Sequence, residues 1–168
     1  MTQASQHASA EAILARHGKS FRFASYFMER DDAHDAALLY MVCRELDDLA
    51  DQDMPTEAEN ESAHARLMTV RRELLAGSGH DPLTHVLIDL QTRRGLDTRA
   101  AVALIDALIG DVTRPALIEN ERELMRYCYG VAGAVGVLMC PVVGADDSAI
   151  PHGIDLGLAM QMLSLIHI

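Results

Sequence analysis

An all-α fold is predicted for this 168-residue chain by three observations. Helical spacings of apolar residues dominate and alternating strand patterns are scarce. Helix starts and stops punctuate the chain, with Thr56 and Asp81–Pro82 as starts and Gly77 and Gly95 as stops. The hydrophobic residues make up 49% of the sequence, with only 4% aromatics and no Trp. The core is therefore expected to consist of Leu, Ala, Val, Ile and Met, a mixture that favours helices. A chain of this length forms one domain or part of one.

A first helix is expected over Ser9 to Arg16, followed by Gly18 and a new start capped by Ser20. The next runs from Asp32, with an acidic first turn, to Gln52, and Pro55 prevents its continuation. Thr56 caps a helix ending at Ala76, where Gly77, Ser78 and Gly79 form a loop. Asp81 and Pro82 are a cap and first-turn pair for a helix ending near Gly95, and Asp97 or Thr98 opens another. Further helices are expected over Ala100 to Gly110, Glu119 to Met139 and Gly153 to Leu163, which together make an α bundle. Gly130, Gly133 and Gly136 recur every three residues and line one side of their helix, open to either another backbone or a ligand.

Composition excludes several classes. Fourteen basic residues against 25 acidic ones give a net charge of −11. Such a chain repels nucleic acid and favours cations or cation-bridged ligands. Cys43, Cys128 and Cys140 are odd in number and lack zinc-ligand spacing, so a reducing cytoplasm is the expected setting. No secretory signal opens the chain. The uncharged stretch Tyr127 to Ala145 is broken by glycines and Pro141, so it reads as a core helix, with no transmembrane segment.

The chemically informative stretch is LYMVCRELDDLAD, residues 39–51. Tyr40, Arg44, Asp47 and Asp51 follow at steps of four, three and four residues, which keeps them on one helical face. Two carboxylates a turn apart with an arginine before them fit a Mg²⁺-bridged diphosphate, because Mg²⁺ binds through one or two carboxylates plus substrate phosphates. Arg44 would grip phosphate oxygens with its planar fork of donors. Asp48 points off the stripe toward solvent. An acidic surface face is the bland alternative for the three aspartates.

Four blocks, HGKSFRFAS (residues 17–25), LYMVCRELDDLAD, YCYGVAGAVG (127–136) and GLAMQ (157–161), resemble in order and spacing the squalene and phytoene synthases, which join two prenyl diphosphates head to head. That resemblance implies an all-α isoprenoid synthase bundle with Mg²⁺, or Mn²⁺ in its place, and diphosphate held between two aspartate-rich walls. Asp47 and Asp51 match the first metal motif, and Tyr40 and Arg44 match the tyrosine and arginine before it. His17, Ser20 and Phe21 fall in the block that helps hold diphosphate and prenyl chain. Tyr127 matches the tyrosine near the reacting carbons. Val131, Ala132, Gly133, Val135 and Gly136 match the cavity wall, and Gln161 matches the glutamine preceding the second motif.

After Gln161 the second metal motif is absent. The chain is therefore expected to be the N-terminal part of one synthase domain, residues 1–162, truncated at the C-terminus, with residues 163–168 a foreign tail and no activity of its own. The implied substrates are farnesyl or geranylgeranyl diphosphate, with phytoene as first product and squalene or dehydrosqualene as alternatives. NADPH is implied only for a squalene synthase. The setting is cytoplasmic, with peripheral association at the inner membrane face.

Two rivals remain. Asp47, Asp48 and Asp51 also spell the D-D-x-x-D of head-to-tail synthases, but Arg93-Arg94-Gly95 lies far downstream and reads as helix-end charge and cap. A non-catalytic scaffold of the same fold would be expected to lose stripe residues, and all four stand. Phe27 and Met28 are expected in the core, whereas Leu156, Leu158 and Met162 are expected on an uncovered face.

Overall fold

The computed structural model describes residues 19–51, 55–113 and 118–166. Among them the elements are α1 (Lys19–Ser25), α2 (Arg30–Ala50), α3 (Glu57–Ala76), α4 (Pro82–Arg94), α5 (Thr98–Thr113) and α6 (Glu121–Cys128). A π-helical segment (Tyr129–Gly133) leads into α7 (Ala134–Val142), and a 3-10 turn (Asp147–Ala149) leads into α8 (Ile150–Ile166). No strand occurs among the described residues.

Local chemistry sets the boundaries. The Thr56 hydroxyl accepts from the Glu59 N–H at 3.3 Å, and the Glu59 carboxylate accepts from the Thr56 N–H at 2.8 Å, forming a reciprocal capping box for α3. Asp81 accepts from the Leu83 N–H at 2.9 Å ahead of Pro82 and starts α4. Gly77 and Gly95 end α3 and α4 with φ of 66° and 75°, the left-handed region where a Cβ is penalised.

The core is built on α2. Leu39, Val42 and Leu46 are buried against Leu67 and Val70 of α3, Leu87 and Leu90 of α4, Ile105 of α5 and Leu138 of α7. The α3 helix packs along α5, and α7 with the π segment packs along α8. This arrangement puts the C-terminal end of α2 beside α5 and the Tyr127 end of α6.

Three expectations need correction. Phe27 is 78% exposed, because the turn that follows α1 presents it and Tyr26 to solvent, beside the exposed Phe23 of α1, rather than to the core. Gly130, Gly133, Gly136 and Pro141 do not break the helical run, which ends at Val142 ahead of Gly144 at φ 70°. The helical run Glu121–Val142 is 22 residues long and, like Asp147–Ile166, is long and apolar enough to cross a membrane by length and composition. The first run contributes Ala134, Val137 and Leu138 to the core. Arg93 and Arg94 are more than helix-end charge. Arg93 grips both oxygens of Asp35 at 2.8 and 2.9 Å, and Arg94 reaches Asp35 at 2.5 Å and Asp32 at 2.6 Å, tying α4 to α2.

Candidate active site

The polar stripe lies on one side of α2, set there by its spacing. Arg44 donates to Asp47 at 3.4 Å and also pairs with Asp48. Asp48 is thus held by Arg44 rather than merely solvated, since a guanidinium one turn back reaches positions three and four residues on. The Nε of Arg44 is buried with no partner. Asp51 sits at the end of α2, where its N–H donates to the Asp47 carbonyl at 2.9 Å.

A third carboxylate joins them. Asp111, in the last turn of α5, faces Asp47 and Asp51, and its carboxylate lies beside the Tyr127 hydroxyl of α6. Burial and the charges of Asp51 and Asp47 push the Asp111 carboxyl up to about 6. Burial, then Asp51 and Asp48, raise Asp47 above the ordinary carboxylate range despite Arg44. Burial and the carboxylates of Asp111, Asp51 and Asp47 push the Tyr127 phenol up to about 12. Burial also raises Tyr40, opposed by Arg44. Asp111 escaped the sequence reading because no spacing rule links it to the α2 stripe; only the packing of α5 on α2 does.

This concentration of negative charge is unfavourable for the protein alone. The C-terminal ends of α2 and α5, each the negative end of a helix, meet at the carboxylates, and neither helix has a basic residue in its last turn. A cation would relieve that repulsion. Among the described residues no three acidic, His or Cys side chains form a ready-made metal cage. A site that shares Mg²⁺ with substrate phosphates needs no such cage.

The sequence pattern of the squalene/phytoene synthases matches residues 14–167. The chain belongs to the squalene/phytoene synthase family. Similar relatives are a phytoene synthase of Pseudescherichia vulneris, 29% identical over 165 residues, and a 15-cis-phytoene synthase of Pantoea ananas, 30% identical over 161 residues. The alignments cover 93% and 90% of this chain but 53% and 52% of those relatives. A 4,4'-diapophytoene synthase of Staphylococcus haemolyticus is 28% identical over 156 residues, covering 92% of this chain and 54% of that protein. The chain spans about half the length of the curated relatives it matches.

The isoprenoid synthase helical fold agrees with two solved structures. A dehydrosqualene synthase superposes with a TM-score of 0.75 at 24% identity, covering 94% of this chain and 54% of the other. A squalene synthase from Alicyclobacillus acidocaldarius gives 0.71 at 23%, covering 94% and 59%.

Within this squalene/phytoene synthase chain, the structure brings Asp47, Asp51 and Tyr127 together, with Tyr40 and Arg44 on the same stripe. It does not open a cavity beside the glycines. A Cβ at Gly136 would stand 2.0 Å from the Gly153 carbonyl oxygen, and one at Gly133 would meet Tyr129 at 2.9 Å and Ile154 at 3.5 Å. The space expected for a prenyl tail at Gly133 and Gly136 is filled by α8 and a neighbouring ring. The Ala132 carbonyl oxygen lies 2.4 Å from where a Gly157 Cβ would be, so the backbone at Ala132 abuts α8 too. Val135 packs on the core, while Val131 and Gln161 are half-buried. His17 lies outside the described residues; Ser20 and Phe21 belong to α1, with side chains outside them.

Proposed function

We propose that the protein containing these residues is a Mg²⁺-dependent prenyltransferase that condenses two prenyl diphosphates head to head. Phytoene is the first-choice product, made from geranylgeranyl diphosphate. The observation that carries this reading is the convergence of Asp47, Asp51 and Asp111 with Tyr127 at the C-terminal ends of α2 and α5, neither of which has a basic residue in its last turn. Phytoene is favoured because the relatives at 29% and 30% identity bear that name.

Asp47 and Asp51 are the proposed metal carboxylates, with Mn²⁺ able to replace Mg²⁺. Bound there, the ion would supply positive charge to the leaving diphosphate. Arg44 would grip phosphate oxygens once substrate displaces its contacts to Asp47 and Asp48, a role its buried, unpartnered Nε supports. Tyr127 remains a neutral phenol at physiological pH, because its pKa of about 12 lies far above it. A neutral donor can face an allylic cation without adding a competing nucleophilic charge. The partly buried setting of Tyr40, Asp47 and Tyr127 limits water, which would otherwise capture that cation.

The 168 residues alone are expected to show no turnover, because after Gln161 they lack a second aspartate-rich motif to complete the diphosphate site. The test incubates the full-length gene product with geranylgeranyl or farnesyl diphosphate, with and without Mg²⁺ and NADPH, and identifies products by mass spectrometry. Phytoene formed only with Mg²⁺, and lost in Asp47→Asn, is the expected result. Squalene formed only with NADPH, or dehydrosqualene from farnesyl diphosphate, would replace phytoene. Absence of any head-to-head product would overturn the proposal.

A further inference from the structure

The π segment touches α5 closely at one point. A Cβ at Gly130 would lie 2.6 Å from the Ala107 methyl, so only a glycine lets the two backbones approach this far. That contact sets the register between antiparallel elements. One turn beyond Ala107 along α5 is Asp111, and three residues before Gly130 is Tyr127. The Gly130–Ala107 contact therefore brings the two side chains side by side, with the Tyr127 hydroxyl next to the Asp111 carboxylate. Both face Asp47 and Asp51 across the gap to α2.

We infer that Asp111 is a positioning residue for Tyr127: by accepting the phenol's hydrogen bond it fixes the ring over the carboxylate pair, and so against the reacting carbons of a bound prenyl chain. This inference rests on the head-to-head prenyltransferase reading of the same site. A tyrosine on a helix has freedom about two side-chain torsions, and a single acceptor on the neighbouring helix removes most of it. Displacement of a reacting or guiding group by about 1 Å can cost on the order of 100-fold in rate.

The test uses the full-length gene product with Asp111→Leu, Asp111→Asn, Tyr127→Phe and the Asp111→Leu/Tyr127→Phe pair. Asn keeps an oxygen acceptor at the same place, so Asp111→Asn should stay within about tenfold of the parent. Asp111→Leu and Tyr127→Phe should each lower kcat by about 10- to 100-fold with KM little changed. The pair should lose no more than the worse single variant, because both break one interaction. Mn²⁺ affinity, read by electron paramagnetic resonance, should fall steeply in Asp47→Asn and by clearly less in Asp111→Leu, which removes a neighbouring charge but no ligand. In protein carrying 3-fluorotyrosine, the fluorine resonance that disappears in Tyr127→Phe should shift in Asp111→Leu.

Additive losses in the pair, an unmoved fluorine resonance, or an Asp111→Asn loss as deep as that of Asp111→Leu would overturn the positioning role. A loss of Mn²⁺ affinity in Asp111→Leu as deep as that in Asp47→Asn would make Asp111 a metal ligand instead and overturn it as well. If the parent makes no head-to-head product, the reaction reading fails. The fluorine measurement then still decides whether Asp111 holds Tyr127.

Discussion

Asp35 is 1% exposed and carries a charge into the core side of α2. Burial pushes its carboxyl up, but the hydrogen bonds and charges of Arg93 and Arg94 together outweigh that and leave it below the ordinary 3.8. Removing one partner of a buried ion pair leaves an uncompensated charge, which typically costs 3–5 kcal/mol. Arg93 keeps Asp89 and Arg94 keeps Asp32 as partners, and Arg93 is partly exposed, so Asp35→Ala is expected to cost less than that, about 2 kcal/mol of unfolding free energy in urea titrations near pH 7. The sign with pH follows from the lowered pKa. Asp35 contributes stability above its unfolded value of 3.8 and loses it as pH falls through its lower folded value. The gap between parent and variant should therefore persist down to about pH 4 and close below it. A gap that stayed constant into strong acid would show that the ionised pair is not its source.

At the scale of elements, the glycines act between helices. Gly136 and Gly153 bring α7 and α8 within backbone contact: a Cβ at Gly136 meets the Gly153 carbonyl at 2.0 Å, and one at Gly153 meets the Gly136 carbonyl oxygen at 2.9 Å. Gly136→Ala must push the two helices apart, and overpacking of this kind costs about 1–3 kcal/mol. The prediction is a melting temperature several degrees lower, with α-helical circular dichroism retained at low temperature. At Gly110 nothing lies within 4 Å of an added Cβ, so Gly110→Ala should match or exceed the parent's stability as a control. Equal stability of Gly136→Ala and the parent would mean that α8 does not sit against α7 as described.

The whole molecule presents apolar surface along α8. Leu156 is 63% and Ile166 77% exposed, with Met160 and Leu163 also exposed on that helix. Of the expected uncovered residues, Leu156 is open, whereas Leu158 and Met162 are half-buried. Contiguous apolar patches of this kind drive association. The 168-residue chain expressed by itself is expected to elute as oligomers or aggregate in size-exclusion chromatography with light scattering. Leu156→Glu with Leu163→Glu should shift it toward monomer. A monodisperse monomer for the unaltered 168 residues would argue that this face is covered in solution.

The helices and half of the site were legible in the sequence because their causes are local. Thr56 with Glu59, Asp81 with Pro82, and Gly77 and Gly95 act within one turn, so their chemistry marks α3 and α4 without reference to the rest of the chain. The stripe from Tyr40 to Asp51 is local too, since helical geometry alone puts its members on one face. The remainder depended on partners distant in sequence. Asp111 joins Asp47 and Asp51 only through α5 against α2, and Asp35 finds Arg93 and Arg94 only across α2 and α4. The same glycine spacing could serve a ligand or a helix, and the tertiary structure decided for the helix by placing Gly153 and Ile154 in that space. A residue's face follows from the sequence by itself; what stands opposite that face is set by how the helices pack.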